Sequence, residues 1–298
     1  MELPIVHSKV SSIELEKLLQ KFLVHGAVIV RGISSHEDFI SFSNRIGTDF
    51  VSLESGADKG RIGGGYSGRD SVHGIPSLFS VSGKTFGYAI PLHGELYFQL
   101  QQPPKLIWFY CKTPPRHGGQ TLFCDGQELF AALPLAIQKR LLSEDLCYIR
   151  RLDADIWPEY FGMSDSTQVE SYCKLKGVVT SINEDGSMTT KFRSPAVRVK
   201  DGVPSFINNL LPFALREIYS PGETRAQVRL ASGARIPDEE VLQIEKIAAG
   251  LTVSLDWEVG DIAIVDNSRV LHGRTSIDDN VREIFVRLSN ADFIDNDS

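Results

Sequence analysis

The chain has 298 residues, of which 42% are hydrophobic and 23% charged, a balance typical of a globular protein. Its net charge of −7 and its lack of a Lys- or Arg-rich block argue against nucleic acid and anionic membrane surfaces as partners. No apolar run reaches the length of a membrane span, the N-terminus lacks a signal-peptide core, and four scattered cysteines without Cys-x-x-Cys indicate reduced thiols. We therefore expect a cytoplasmic protein with a small-molecule partner, and composition predicts no oligomeric state.

The N-terminal part begins with a helical pattern. Ser11 and Glu14 match the Ser-x-x-Glu capping box, and apolar residues then recur at helical period up to Gly26. A short buried strand and a second helix are expected next, at residues 27–30 and 35–46. Residues 52–87 are rich in Gly, Ser and charged residues, which predicts a long loop that acts as a lid.

From Tyr88 onward the sequence is mostly strand-like. The clearest predicted strands are residues 106–111, 120–124, 251–255, 262–265 and 281–288. Helical patterns occupy residues 127–142, broken near Pro134, and residues 237–249. Residues 153–195 mix strand-like pieces with a hairpin turn at 184–186. Without a repeat or a linker, residues 1–298 are expected to form a single domain, mainly β with peripheral helices around a jelly-roll core.

One short pair of residues, together with a distant histidine, suggests a metal site. His93 and Glu95 form a His-x-Glu pair, and His272 lies far downstream in the sequence Val-Leu-His-Gly-Arg. On a strand, residues i and i+2 point to the same side, so His93 and Glu95 can reach one ion. Two imidazoles and a carboxylate suit Fe(II) or Mn(II) and leave one face of the metal open. The alternative is a His and a Glu on a solvated strand face, because His-x-Glu also occurs by chance.

Further sequence blocks surround these residues. They are residues 25–32 (HGAVIVRG), 91–95 (PLHGE), 109–111 (FYC), 118–121 (GGQT), 260–261 (GD), 265–269 (VDNSR) and 272–274 (HGR). In this order the blocks resemble the taurine dioxygenase/clavaminate-synthase-like branch of the Fe(II)/2-oxoglutarate dioxygenases. The similarity spans nearly the whole chain, with a vague middle third.

The resemblance implies a double-stranded β-helix with a metal at one open end. It implies that His93, Glu95 and His272 bind catalytic Fe(II), with 2-oxoglutarate and O2 as co-substrates. Thr121 matches the family threonine whose hydroxyl contacts the 2-oxoglutarate carboxylate, although a threonine on a barrel strand is also simply a good β-former. The reaction expected from the family is hydroxylation, or a related oxidation, of an unactivated C–H bond.

The family also supplies an arginine from the last strand to bind the far carboxylate of 2-oxoglutarate, a role that suits the planar guanidinium. Two candidates, Arg282 and Arg287, are five residues apart, so on a regular strand they face opposite sides. We predict Arg287 as the clamp, because Arg282 stands beside the polar residues 278–280 at the solvent-rich start of the strand. Arg282 remains the alternative.

Three further residues are candidates for contacting the substrate. Arg193 and Arg274 could bind a substrate carboxylate, and Asn208 could donate a hydrogen bond, although a plain structural role is more common for such residues. These cations favour a small carboxylate-bearing substrate. Glu95 in place of Asp in the His-x-acid pair resembles the clavaminate-synthase-like members, and this resemblance implies an amino acid or a derivative in specialised metabolism. Two other readings stay open: a zinc hydrolase that uses the same His/Glu/His set, and a non-catalytic jelly-roll binding protein.

Overall fold

A computed structural model of the chain describes residues 1–8, 12–51, 71–72, 74–81, 87–200, 202–222, 225–278 and 281–294. Its helices are α1 Leu15–His25, α2 His36–Asn44, α3 Gly126–Ala132, α4 Leu135–Ser143, α5 Trp157–Phe161, α6 Ser166–Leu175, α7 Leu210–Tyr219 and α8 Asp238–Leu251. Its strands are β1 Ile5–His7, β2 Ala27–Arg31, β3 Ser71–Val72, β4 Ile75–Ser80, β5 Ile90–His93, β6 Leu106–Thr113, β7 Thr121–Asp125, β8 Leu146–Leu152, β9 Val178–Ile182, β10 Met188–Ser194, β11 Arg198–Lys200, β12 Val203–Ser205, β13 Ala226–Leu230, β14 Val253–Leu255, β15 Ile262–Asp266, β16 Val270–Arg274 and β17 Glu283–Ser289.

Two sheets form the predicted jelly-roll core, which is confirmed. The larger has seven strands in the order β1-β2-β15-β6-β17-β4-β3, and the smaller has the order β14-β7-β16-β5. Buried apolar side chains from both sheets pack together between them, including Phe109 and Val286 from the larger sheet and Phe123 from the smaller. Non-consecutive neighbours in both sheets bring distant parts of the sequence together.

Strand β17 is buried on both of its faces. Ile284, Val286 and Leu288 belong to the core between the two sheets, whereas Phe285 belongs to a second core beneath the N-terminal helices. Even-numbered residues of this strand therefore face the inside of the jelly roll, and odd-numbered ones face α1 and α2. By this alternation Arg287, an odd-numbered residue of β17, faces the helices.

The N-terminal helices cover the outer face of the large sheet. Helix α1 ends at Gly26, which adopts a left-handed φ of 73° as the sequence predicts, and the Ser35 hydroxyl caps α2 by accepting a hydrogen bond from Asp38 N. The expected capping box is wrong, because the N-cap of α1 is Glu14, whose side chain makes no capping bond. Ser11 lies outside the described residues.

The segment between β7 and β14 forms a separate layer with its own sheet, in the order β13-β8-β10-β9, and helices α3–α8. The expected hairpin is confirmed by β9 and β10, with Gly186 at a φ of 78°. The strand-like reading of residues 153–195 is partly wrong, since α5 and α6 lie there. Both helices are short and begin with local signals, Pro158 in the first turn of α5 and the Asp165 cap of α6.

Part of the predicted lid is strand. Strands β3 and β4 pair with each other, and β4 also pairs with β17 at the sheet edge. Residues 52–70, 73 and 82–86 lie outside the described residues, so a lid there stays a prediction, as does the single domain over residues 1–298. Within the described ranges, no helix has the length and apolar character needed to cross a bilayer.

Candidate metal centre

The two predicted histidines and the glutamate meet at one end of the jelly roll. One ligand atom from each of His93, Glu95 and His272 lies within 4.8 Å of the other two. Nε2 of His272 is 3.5 Å from a carboxylate oxygen of Glu95, and the two imidazole centroids are 4.3 Å apart. Glu95 and His272 are 4% and 6% exposed, so an uncompensated carboxylate here would be costly. A cation bound between these side chains would compensate the buried charge of Glu95.

The local backbone explains how the three side chains meet. Strands β5 and β16 run antiparallel and pair His93 directly with His272. Strand β5 ends at His93, and Glu95 lies in the turn that follows it. The prediction that His93 and Glu95 share one strand is therefore wrong. The next residue, Leu96, has a φ of 66°, which is unfavourable for a branched side chain and marks a sharp change of direction after the ligand.

The orientation of the ligands is set by neighbouring polar groups. Nδ1 of His93 is 2.8 Å from the carbonyl of Pro91, which favours a proton on Nδ1 and leaves Nε2 with its lone pair. The side chain of Asn267 holds the main chain of Glu95, accepting from Glu95 N at 2.7 Å and donating to Glu95 O at 3.1 Å. A donor set of two imidazoles and one carboxylate therefore fits Fe(II).

A small cavity opens beside the three ligands. It is lined by Val81, Ile90, His93, Phe109, Thr121, His272, Gly273, Arg274 and Arg282. Thr121, the first residue of β7, is 3% exposed, and its hydroxyl accepts a hydrogen bond from Trp257 Nε1 at 2.9 Å. The hydroxyl proton of Thr121 thus remains available to a ligand in the cavity. Gly273 lets β5 lie close to β16, because a Cβ at position 273 would be 2.7 Å from Ile90 O.

Arg282 points into this cavity. Its Nε donates to the carbonyl of Gly119 at 3.1 Å, while its buried NH1 has no hydrogen-bond partner among the described residues. Burial, with a smaller contribution from the nearby charge of Arg274, lowers the pKa of Arg282 to about 10, so it is a cation at neutral pH. A buried cation with an unused donor, aimed at a metal cavity, is suited to a carboxylate ligand.

The assignment of Arg287 as the clamp is wrong. Its NH1 donates to Ser43 Oγ at 2.5 Å and to Asn44 Oδ1 at 2.9 Å, and its guanidinium lies over the ring of Phe50 at 3.7 Å. These partners lie on the α2 side of the large sheet. Arg287 follows Phe285 onto the helix side by strand alternation, whereas Arg282, just before β17, lines the metal cavity on the inner side.

The three substrate candidates have different surroundings. Arg274 lies in β16, lines the metal cavity and donates to the Tyr88 carbonyl at 2.8 Å. Arg193 does not line the cavity; it is exposed on β10, with its NH2 3.5 Å from Ala231 O. Both ends of the Asn208 side chain contact main chain, donating to Ala196 O and accepting from Leu210 N. The structure thus gives Asn208 a structural position and separates Arg193 from the metal.

Three residues around the candidate ligands had no role predicted from the sequence. Trp257 contacts Thr121 as described, and Phe109 places its ring 5.6 Å from that of His272. Asn267 was part of a recognised block but received no role, although its amide matches both main-chain groups of Glu95. No sequence spacing identifies Trp257, because its contact depends on the pairing of β14 with β7.

Comparison with known proteins agrees with this geometry. The family described as taurine catabolism dioxygenase TauD, TfdA family, matches residues 4–288. The chain belongs to this family. The resemblance inferred from the motif blocks is therefore confirmed, and the TauD/TfdA chain is identified as a dioxygenase.

Individual relatives are distant. The Clavaminate synthase-like protein At3g21360 of Arabidopsis thaliana is 25% identical over 90% of this chain and 83% of its own. Dapdiamide synthesis protein DdaC of Enterobacter agglomerans is 25% identical over 61% of this chain and 60% of its own. Among solved structures, a taurine dioxygenase from Burkholderia xenovorans has a TM-score of 0.56 at 16% identity, covering 96% of this TauD/TfdA chain and 85% of its own.

A second solved structure has the same fold. PvcB, described as an Fe, alpha-ketoglutarate dependent oxygenase from an isonitrile synthetic pathway, has a TM-score of 0.57 at 13% identity. The match covers 97% of this chain and 86% of PvcB. At these identities the two structures establish the double-stranded β-helix fold of this TauD/TfdA chain.

Proposed function

We propose that the chain is an Fe(II)- and 2-oxoglutarate-dependent oxygenase that hydroxylates an unactivated C–H bond of a small carboxylate-bearing substrate. The observation that carries this proposal is one cavity that is lined by His93 and His272 of the His/Glu/His set and by the buried cation Arg282. A metal-binding triad beside a cation fits a co-substrate that chelates the metal at one end and carries a carboxylate at the other.

Each residue has a distinct part in this scheme. His93, Glu95 and His272 would hold Fe(II), which supplies the chemistry of O2 activation coupled to oxidation of 2-oxoglutarate. Arg282 would bind the far carboxylate of 2-oxoglutarate through its free NH1, and the Thr121 hydroxyl would donate to the same group. Phe109 lines the same cavity, and Trp257 contacts Thr121 and the ring of Phe109, so these two rings would limit the access of water to this position.

Glu95 also bears on the type of oxidation. Its carboxylate would be the third protein ligand of Fe(II), and Glu95 is buried and its main chain is held by Asn267. Because a halide would need that position, the intact triad supports oxygen transfer over halogenation. We therefore propose hydroxylation or a related oxidation, and not chlorination, as the outcome.

The substrate proposal is an amino acid or a derivative, in specialised metabolism. Arg274 supports it as a second buried cation in the metal cavity. Two similar proteins carry names that refer to dapdiamide synthesis and to an isonitrile synthetic pathway, which favours a biosynthetic role. The four free cysteines in the described part of the chain are in keeping with a cytoplasmic location.

The decisive experiment measures succinate release. The protein is loaded anaerobically with Fe(II), mixed with 2-oxoglutarate and O2, and supplied in turn with free amino acids, their amides and uncharged analogues. We expect the wild type to release succinate in a fixed ratio to oxidised product with an amino acid or derivative, and Arg282→Met to release much less at the same limiting concentration of 2-oxoglutarate. Absence of succinate with every compound, together with tight zinc binding and hydrolase activity, would favour a zinc hydrolase instead. Absence of both metal binding and turnover would favour a binding protein.

A further inference from the structure

A second cavity lies beside the loop that follows Glu95. Its volume is about 350 Å³, within the range of small-molecule sites. It is lined by Phe98, Arg150, Arg151, Leu152, Asp153, Ile156, Pro212, Phe213, Arg216, Arg225 and Ala226. Four arginines and one aspartate thus line a single cavity in a chain whose net charge is −7. This concentration of positive charge is local and is not explained by overall composition.

Carboxylates do not neutralise every arginine of this cavity. Arg225 pairs with Asp153 at 2.6 Å, and Arg151 pairs with Asp185, which does not line the cavity. Arg150 has no carboxylate within 4.0 Å among the described residues. The guanidinium of Arg150 instead donates to Tyr160 OH at 2.5 Å. The cavity therefore presents at least one cation that no acidic side chain neutralises.

Arg150 is also held in position. Its guanidinium carbon lies 5.5 Å from the ring centroid of Phe98 and 5.0 Å from that of Tyr160, both within cation–π range. A fixed guanidinium loses less conformational entropy when it binds an anion than a mobile one does. The site is thus partly formed before any ligand arrives.

The remaining walls are apolar. Phe98 and Phe213 pack against each other with ring centroids 5.7 Å apart, and Leu152 and Ile156 complete the lining. A ligand that fills this space needs an anionic group for the arginines and an apolar body for the rings. Inorganic ions alone would satisfy only the first requirement.

The position of this cavity relates it to the metal centre. Phe98 is three residues past Glu95, so their Cα atoms are at most roughly 11 Å apart. Phe213 belongs to α7, which packs against β5, the strand that ends at His93. A hydrogen bond of 2.9 Å from Gly94 N to Asn208 O connects the same two regions. The two cavities share no lining residue, so this is a separate cavity that lies next to the turn carrying Glu95.

We propose that this cavity, which we call the arginine cavity, binds the anionic end of the substrate, a carboxylate or a phosphate attached to an apolar body. The part of the substrate to be oxidised then extends past the Glu95 turn to the metal. Binding energy from such a remote group can orient the reacting carbon. This inference rests on the proposed function for its statement that the ligand is the substrate, whereas anion binding can be tested without turnover.

The test is calorimetric titration of protein loaded with Fe(II) and 2-oxoglutarate in the absence of O2, so that Arg282 is already occupied. The probes are benzoate, phenyl phosphate and benzamide, which share a ring but differ in charge. We expect one or both anions to bind, and the neutral benzamide to bind about tenfold or more weakly than they do, because hydrogen bonds between two charged groups are stronger than those to a neutral group. The preferred anion distinguishes a carboxylate from a phosphate substrate.

Three variants locate the binding. Arg150→Gln and Arg216→Gln should each weaken anion binding by about tenfold or more, while Arg235→Gln, at an exposed arginine that pairs with Asp238 outside this cavity, should leave it unchanged. Arg216 is exposed, so its variant carries the test if Arg150→Gln misfolds after losing the Tyr160 contact. Equal binding of benzamide and benzoate, or unaltered anion binding in a folded Arg216→Gln or Arg150→Gln protein, would overturn the proposal.

The two proposals fail in different ways. Anion binding that depends on Arg150 and Arg216, without succinate release from any compound, would contradict the oxygenase and leave the anion site standing. Succinate release from a substrate whose KM is the same in wild type and in both variants would contradict the arginine cavity and leave the oxygenase standing.

Discussion

Asn267 holds the main chain of Glu95 from both sides, although the two residues are 172 positions apart in the sequence. Its amide oxygen accepts from Glu95 N, and its amide nitrogen donates to Glu95 O and to Pro104 O. Tyr97 OH in turn donates to the carbonyl of Asn267 at 3.0 Å. The turn that carries the carboxylate ligand is thus fastened to the loop before the strand that carries His272.

Replacing this amide with a carboxylate should loosen the metal site. In Asn267→Asp the donor becomes an oxygen that faces the carbonyls of Glu95 and Pro104, so the Glu95 turn is repelled. Because loss of an outer-sphere partner typically weakens metal binding by about 10–100-fold, we expect a change of that order. Titration with Fe(II) or Co(II) measures it.

The matched control is Asn183→Asp. Asn183 donates to Ser187 Oγ and Thr189 Oγ1 in the hairpin of β9 and β10, so its replacement also removes side-chain amide hydrogen bonds, here partly buried ones. It should reduce the stability of the fold without changing metal affinity. If both variants bind metal as the wild type does, Asn267 has only a structural role.

Removing one imidazole should abolish the metal site itself. We expect His272→Ala to lose stoichiometric Fe(II) binding, because the remaining His93 and Glu95 offer only two ligands. Metal analysis after gel filtration is the measurement. His117→Ala, outside the His/Glu/His set, is the control and should retain full metal content. Wild-type occupancy in His272→Ala would mean that the ion is bound elsewhere.

The two arginines near the C-terminus should have separable effects. Arg282→Met should raise the 2-oxoglutarate concentration needed for half-maximal turnover by roughly 30-fold or more, because truncating one side of a buried charged hydrogen-bond pair costs about 2–5 kcal/mol. Its metal affinity should remain close to that of the wild type. Direct titration of 2-oxoglutarate into the metal-loaded protein separates binding from turnover.

Arg287→Met should instead lower stability. It removes the contacts with Ser43 and Asn44 and the stacking on Phe50, and we expect the free energy of unfolding to fall by about 3 kcal/mol, given the strength of hydrogen bonds to charged groups. Urea unfolding measures this loss. The opposite pattern, with 2-oxoglutarate affinity lost in Arg287→Met and retained in Arg282→Met, would reverse the assignment.

The buried cysteines should resist alkylation in the native protein. Burial is the main cause that raises the pKa of Cys111, Cys124 and Cys173 from near 9 to about 12. Few thiolates exist at pH 8, so iodoacetamide should react with these thiols much more slowly than in urea. The folded state binds more protons than the unfolded state between pH 9 and 12, so these thiols favour unfolding as pH rises through that window. Mass spectrometry of peptides measures the alkylation of each thiol. Rapid alkylation in the native protein would contradict the burial of these cysteines.

The sequence alone determined the family and the fold class, and it identified His93, Glu95 and His272 as the candidate metal-binding residues. Each depends on information that is local in the chain, such as the His93–Glu95 spacing and the block around His272. The pairing of β5 with β16 then joins the two blocks. The double-stranded β-helix follows from the family resemblance, and the capping and turn residues at Gly26 and Ser35 mark element ends by short-range chemistry.

Only the tertiary structure decided which arginine enters the metal cavity. Strand β17 lies between a second sheet and a layer of helices, so it is apolar on both faces and its sequence contains no inside–outside alternation. Likewise, the arginine cavity combines residues from β8, α7 and the segment before β13 with Phe98. No sequence spacing relates these residues, because their proximity arises from the packing of separate elements against one another.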